Sequence, residues 1–332
     1  MKNLRSLFKL LFCALLVIVI SSGKSKSSFK LVLLPDTQTY CSNFPEIFNS
    51  QTRWCVENKA DIAFVLQQGD ITDNNSELQW KVASGALSLM DGQVPYTFAP
   101  GNHDIGEGGR TETRNTDLYN RYMPYEKYSK TPNFGGAFEV GKMDNTWHTF
   151  KAGGLNWLIL ALEFGPRDTV LTWAASIIEQ HPKHKVIINT HAYLYSDDTR
   201  MSKERDHKWL PQTYGVGKDT GKEAVNNGQQ IWDKLVSIYP NILFVFSGHV
   251  LNDGAGALVS EGKHGNKVYQ MLANYQGGVE GTVNGGNGFL REITIDTHEG
   301  TISVKTYSPY INEYKTDPGQ QFSYKNVQFK KH

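Results

Sequence analysis

Five short apolar runs, each ending in residues able to bind a metal, constrain the fold of this 332-residue chain more than any other feature. Phe29–Leu34 leads into Asp36, and Ile62–Leu66 into Gly69-Asp70. Tyr96–Ala99 leads into Gly101-Asn102-His103-Asp104, Val186–Ile188 into His191, and Ile242–Phe246 into Gly248-His249. Continuous runs of this length, rich in β-branched and aromatic residues, suit strands buried on both faces.

Helical spacing fills several of the gaps. Pro45–Asn58 sets Ile47, Phe48, Gln51, Trp54 and Cys55 on one face, and Asn75 or Ser76 is placed to cap a second helix carrying Leu78, Val82, Ala86, Leu89 and Met90. Asp168 is expected to cap a third, stopped before Pro182, and Gln229–Tyr239 forms a fourth. Strands alternating with helices imply a layered α/β fold with both sheet faces covered. In such folds ligands bind at the carboxyl ends of the strands. All five polar endings therefore fall on one edge.

The C-terminal part reads differently. Lys267–Asn274, Phe289–Asp296 and Thr301–Ser308 alternate as antiparallel strands do. Gly277–Gly288 is rich in Gly and Asn and is expected to form a flexible loop. Asp197–Asn227, poor in apolar periodicity, reads as a long insertion over the site edge. No repeat or linker divides the chain, so residues 29–310 are taken as one domain and 311–332 as an extension packed on it or trailing from it.

The formal net charge of +1 gives no global field favouring nucleic acid or an acidic membrane. Lys2, Arg5 and Lys9 precede an apolar run, Leu10–Ile20, and small residues follow at Ser21-Ser22-Gly23. That is the layout of a secretory signal peptide over 1–23, and it places the mature chain outside the cytoplasm, secreted or periplasmic, with no transmembrane span. The apolar run falls short of the roughly 20 residues a spanning helix needs. Removing the signal leaves Cys41, expected in the loop after the first strand, and Cys55 on the first helix. In an oxidising compartment such a pair invites a disulfide, which would contribute about 3 kcal/mol.

Asp, Asn and neutral His offer oxygen and nitrogen to divalent ions such as zinc, iron or manganese. Asp70 is placed to offer one oxygen to each of two ions, an arrangement that clamps a phosphate and activates water. His103, beside Asn102, is free to stay off the metal and protonate a leaving group. Asp104 is expected to hold the tautomer of that ring. Asp73 is expected to order its loop or support Asp70. Glu163, Arg167, Tyr193 and Tyr195, past strand ends, are candidate substrate contacts.

In order and spacing, Asp36-Thr-Gln38, Gly69-Asp70-Ile-Thr-Asp73, Gly101-Asn102-His103-Asp104, Asn189-Thr-His191 and Gly248-His249 resemble the calcineurin-like metallophosphoesterases. The resemblance covers roughly residues 29–255. It implies a four-layer α/β/β/α sandwich with its site at the strand ends. It further implies that Asp70 bridges two metals, that Asn102, His191 and His249 complete one shell, that Asp36 serves the other, and that His103 is the acid.

Two positions depart from the family pattern. Gln38 stands where a histidine is usual in the first motif, and Leu251 where one is usual in the last. Both losses fall on the Asp36 side. That side keeps Asp36, Asp70 and the Gln38 carbonyl oxygen, so the expectation is one tightly held ion and a second position that is weak, oxygen-rich or empty, with Asn252, Asp253 or Tyr40 as candidate substitutes. The leading function is hydrolysis of a phosphomonoester or phosphodiester of unspecified class. The alternative is a fold-retaining phosphate-binding or ligand-binding protein with an eroded metal site.

Overall fold

The computed structural model describes residues 27–329. Residues 1–23, expected from the sequence to form a signal peptide, lie outside the described residues. Among the described residues, no helix is long and apolar enough to cross a membrane.

In chain order the strands are β1 (Ser28–Leu34), β2 (Ile62–Gln67), β3 (Tyr96–Phe98), β4 (Phe134–Ala137), β5 (Thr146–Ala152), β6 (Leu155–Leu162), β7 (Lys185–Thr190) and β8 (Ile242–Ser247). They continue as β9 (Ala255–Glu261), β10 (Lys267–Ala273), β11 (Leu290–Asp296), β12 (Thr301–Ser308), β13 (Glu313–Lys315) and β14 (Phe322–Tyr324). The helices are α1 (Gln38–Asn43), α2 (Pro45–Glu57), α3 (Glu77–Ser88), α4 (Asp117–Tyr122), α5 (Tyr125–Tyr128), α6 (Asp168–Gln180) and α7 (Gly228–Ile231).

Two mixed sheets face each other, flanked by helices. The first runs β13-β12-β11-β1-β2-β3 with β14 also on β12; the second runs β4-β5-β6-β7-β8-β10-β9. Within the first, β1, β2 and β3 are parallel; within the second, β6, β7, β8 and β10 are. Alternation along each strand sorts side chains between layers. Leu31 and Leu33 of β1, Phe64 and Leu66 of β2, and Phe244 and Phe246 of β8 meet between the sheets. Val32, Leu34 and Val65 point the other way, under α2 and α3 with Ile47, Phe48 and Trp80. Leu158, Leu160 and Val245 face Val170, Leu171 and Ile231 of α6 and α7. Strands buried on both faces must be apolar at every position, which is why the runs are continuous.

The segment beyond 310 adds β13 and β14 to the first sheet, and Val327 and Phe329 enter the core between the sheets. Buried Arg291 ties the layers together, donating to the Leu272 carbonyl on β10 and to Gln320 Oε1.

Several local expectations are corrected. Cys41 lies on α1 rather than in a loop, and Cys41 and Cys55 are free and buried. Both thiols pack as small apolar groups under the helices of the first sheet, and burial pushes each above the ordinary thiol range. Asp168 opens α6 as its first residue, with Arg167 at the cap; its carboxylate accepts from Asn226 and Lys234. Asn75 does not cap α3 but bonds the Gly106 carbonyl and the Trp80 indole, leaving Ser76 at the cap position. The fourth helix starts with a capping box between Asn227 and Gln230 and widens into a π-helical stretch over Trp232–Val236.

Candidate metal centre

The carboxyl ends of β1, β2, β3, β7 and β8 meet at one edge. Asn189 on β7 donates to the Gln67 carbonyl on β2 at 2.9 Å, which stitches the two sheets together just below the site. Asp36, Asp70, Asn102, His191 and His249 are all buried there. Asp36, Asp70 and His249 have φ of 38°, 47° and 74°, in the left-handed region that costs a non-glycine residue of order 1–3 kcal/mol. Such strain clusters where a fold aims side chains at a ligand.

Glycines supply the close approach. A Cβ on Gly101 would stand 2.1 Å from the Asp70 backbone nitrogen, and one on Gly248 would stand 2.1 Å from Asp36 Oδ2. Only bare backbone lets these turns pass the two carboxylates.

The first candidate position is defined by His191 Nε2. Within 3.1 Å of it lie Asp70 Oδ1, Asn102 Oδ1 and His249 Nδ1. His191 Nδ1 faces the Gln68 carbonyl at 2.8 Å, and His249 Nε2 faces the Trp209 carbonyl at 2.7 Å. A carbonyl only accepts, so in the neutral rings those nitrogens carry the hydrogens. The inward nitrogens, the carboxylate and the amide oxygen then present four sets of lone pairs to one point with no hydrogen among them. Such a set repels itself unless a cation sits in its midst. Asp70, His191 and His249 alone offer three ligand atoms within 4.8 Å of one another. The donors present therefore fit a divalent metal ion.

Without an ion, a proton on His191 is the charge that lets these groups coexist. Burial opposes charge on His191, but the Asp70 and Asp36 carboxylates outweigh it and lift its pKa to about 9. Burial, reinforced by His191, drives His249 down to about 3. Burial also works against ionised Asp70, yet the His191 and His103 imidazoles hold it well below the usual carboxylate range. Asp36 is pushed well above that range, by burial first and then by Asp70.

His103 stands beside this cluster with about a third of its side chain exposed. Its backbone N–H donates to Asp70 Oδ1, and its Nδ1 faces the Asp73 carbonyl at 2.5 Å. Asp73, not Asp104, thus sets the tautomer of this ring. Asp104 is fully buried and accepts from the backbone of Ile71, Thr72 and Gly101 and from the Thr72 hydroxyl. It braces the turn of Asp70 against the turn of Asn102, because donors from both turns converge on it.

Residues expected to touch substrate have other engagements. Glu163 is buried against Asn145, Arg114 and Arg167, and Arg167 also binds Glu223. The Tyr193 hydroxyl donates to Gln270, and Tyr195 stacks on His207 at 3.9 Å. Among the proposed substitutes near Asp36, Tyr40 accepts from Gly288, Asn252 donates to Ser196, and Asp253 accepts from Ala255. Three contributors escaped the sequence reading. Trp209, in the insertion, has φ of 59° and turns its carbonyl to His249; Phe164 packs its ring 5.3 Å from that of His249; Gln276 approaches Asp36. A backbone carbonyl leaves no mark in sequence.

The profile of the calcineurin-like phosphoesterase family matches residues 29–253. The chain belongs to this family. It is 28% identical over 309 residues to the uncharacterized protein YvnB of Bacillus subtilis (strain 168), a match covering 88% of this chain and 21% of that protein. The chain thus spans about a fifth of that relative's length. Among solved structures it resembles the purple acid phosphatase PPD1 from yellow lupin (Lupinus luteus) seeds, at a TM-score of 0.50 and 14% identity, covering 92% of this chain and 55% of that one. This second likeness concerns the fold alone. Within this family assignment, Asp70, His191 and His249 stand as a candidate metal-binding cluster.

Proposed function

We propose that this chain hydrolyses a phosphomonoester or phosphodiester outside the cytoplasm, with His103 as general acid. The observation that carries the reading is the convergence of lone pairs from Asp70, Asn102, His191 and His249, with a partly exposed imidazole, that of His103, beside them.

Those four residues would hold the ion; zinc, iron and manganese all suit two nitrogens and two oxygens. When bound, it supplies Lewis-acid polarisation of a phosphoryl oxygen and a more acidic water. His103 keeps Nδ1 against the Asp73 carbonyl, so its proton for the leaving-group oxygen sits on Nε2. The Asp70 carboxylate, bonded to the His103 backbone, fixes the distance between acid and ion. Phe164 and Tyr214, with rings 5.3 and 6.1 Å from His249, form an apolar wall that keeps water from the far side of that ligand.

Gln38 and Leu251 favour a second reading, a phosphate-binding protein that no longer turns over. Assay of metal-loaded protein on generic monoesters and diesters, with Asp70→Asn as control, separates the two. Hydrolysis in the wild type that the control lacks supports the enzyme. Phosphate binding without turnover above the control supports the binding protein.

A further inference from the structure

The Asp36 side of the site lacks both expected histidines, yet it is crowded with amide oxygen. Gln276 is 5% exposed and Gln38 7% exposed. The Oε1 atoms of both are buried with no hydrogen-bond partner. An orphaned buried acceptor costs about 1–3 kcal/mol, and two such oxygens, on Gln276 beside Asp36 and on Gln38 two residues after it with Nε2 3.4 Å from Asp73 Oδ1, point to a ligand that satisfies them. Gln276 Nε2 lies 3.5 Å from Asp36 Oδ1. Oε1 of the same carboxamide, beside that long contact, is the atom left without a partner.

The fold fixes Gln276 in this place from the loop that carries His249. The backbone N–H of Gln276 donates to Asn274 Oδ1, the Asn274 side chain donates to the Val250 carbonyl, and its backbone to that of Gly254. Leu251 lies under the next turn, with a methyl carbon 3.3 Å from where a Cβ of Gly278 would be. The residue replacing a histidine therefore packs beneath the segment that delivers the glutamine. On the other side, Gly288 donates to the Tyr40 hydroxyl at 3.0 Å, which anchors the Gly-rich loop on α1 beside Gln38.

We propose that the second cation position is an all-oxygen pocket, made of the Asp36 and Asp70 carboxylates with the amide oxygens of Gln38 and Gln276. It would select a hard divalent ion such as Mn²⁺ over Zn²⁺. The inference rests on the reading that Asp70 and the two histidines hold a first ion.

The test is Mn²⁺ binding to the chain lacking residues 1–26, followed by titration calorimetry and by the electron paramagnetic resonance of free Mn²⁺. Two classes of site are expected in the wild type, with Zn²⁺ competing well only for the tighter one. Gln276→Leu should weaken the second class about tenfold or more and spare the first, whose retention shows that the variant is folded. Gln276→Glu, with an added charge, should tighten it. A wild type that takes one Mn²⁺, or a second class indifferent to both variants, overturns the proposal. His191→Ala separates this failure from that of the underlying reading. If it removes the tight class, the first site stands whatever Gln276 does; if it changes no class, the phosphoesterase site itself is wrong.

Discussion

Nε2 of His191 and Nδ1 of His249 face each other at 3.1 Å, and in the neutral rings neither carries the hydrogen that a bond between them would need. Both rings are pinned from behind by backbone carbonyls, those of Gln68 and Trp209. Those carbonyls belong to the turn of Asp70 and to the insertion over the site. The geometry of these candidate ligands is therefore set by chain segments far apart in sequence.

His103→Ala should lower turnover on esters of poor leaving groups by about 10²–10⁴-fold while metal content is unchanged. With an activated leaving group, which departs without a proton, the loss should shrink. Steady-state kinetics on alkyl and nitrophenyl esters, with metal analysis of the same samples, decides it. An equal loss on both would remove His103 from the role of acid.

Asp104→Ala should act on stability rather than on proton transfer. It leaves the N–H groups of Ile71, Thr72 and Gly101 and the Thr72 hydroxyl without their acceptor, at a cost of about 3 kcal/mol or more. Asp104→Asn, which keeps one acceptor oxygen, should cost less. Urea unfolding measures both. An Asp104→Ala chain as stable as the wild type but slow in turnover would reverse the assignment.

Acid should weaken the fold through His148. Its Nε2 lies between the hydroxyls of Thr97 and Thr146, and its ring packs against Phe64 and Phe134. Burial lowers its pKa from 6.5 to about 3. The unfolded chain thus takes up this proton first as pH falls. Stability from this group is whole above pH 6.5 and declines by about 1.4 kcal/mol per unit down to about pH 3. Thermal melts of the wild type and His148→Phe between pH 4 and 7 should differ in slope; parallel slopes would refute this.

Much of the site was legible because its residues follow their strands directly. A continuous apolar run marks a strand buried on both faces, and the parallel arrangement brings its polar ending to the common edge. Asp36, Asp70, Asn102, His103, His191 and His249 could all be read in this way. The sheets themselves were partly legible: β1, β2, β3, β7, β8 and β10–β12 stood out, whereas β4, the β5–β6 hairpin, β9, β13 and β14 did not. In β5 the alternating pattern is interrupted by a buried histidine, His148, which resembles a surface residue until its pocket is seen.

What the sequence determined by itself is the order of strands and ligands, and hence the family and the asymmetry left by Gln38 and Leu251. Local spacing and side-chain chemistry suffice for that. Only the tertiary structure decided that Asp73 rather than Asp104 holds the His103 ring, that Cys41 and Cys55 stay free, and that Gln276 stands beside Asp36. Each depends on backbone carbonyls or on contacts between residues distant in the chain. Such contacts are fixed by packing and leave no periodicity to read.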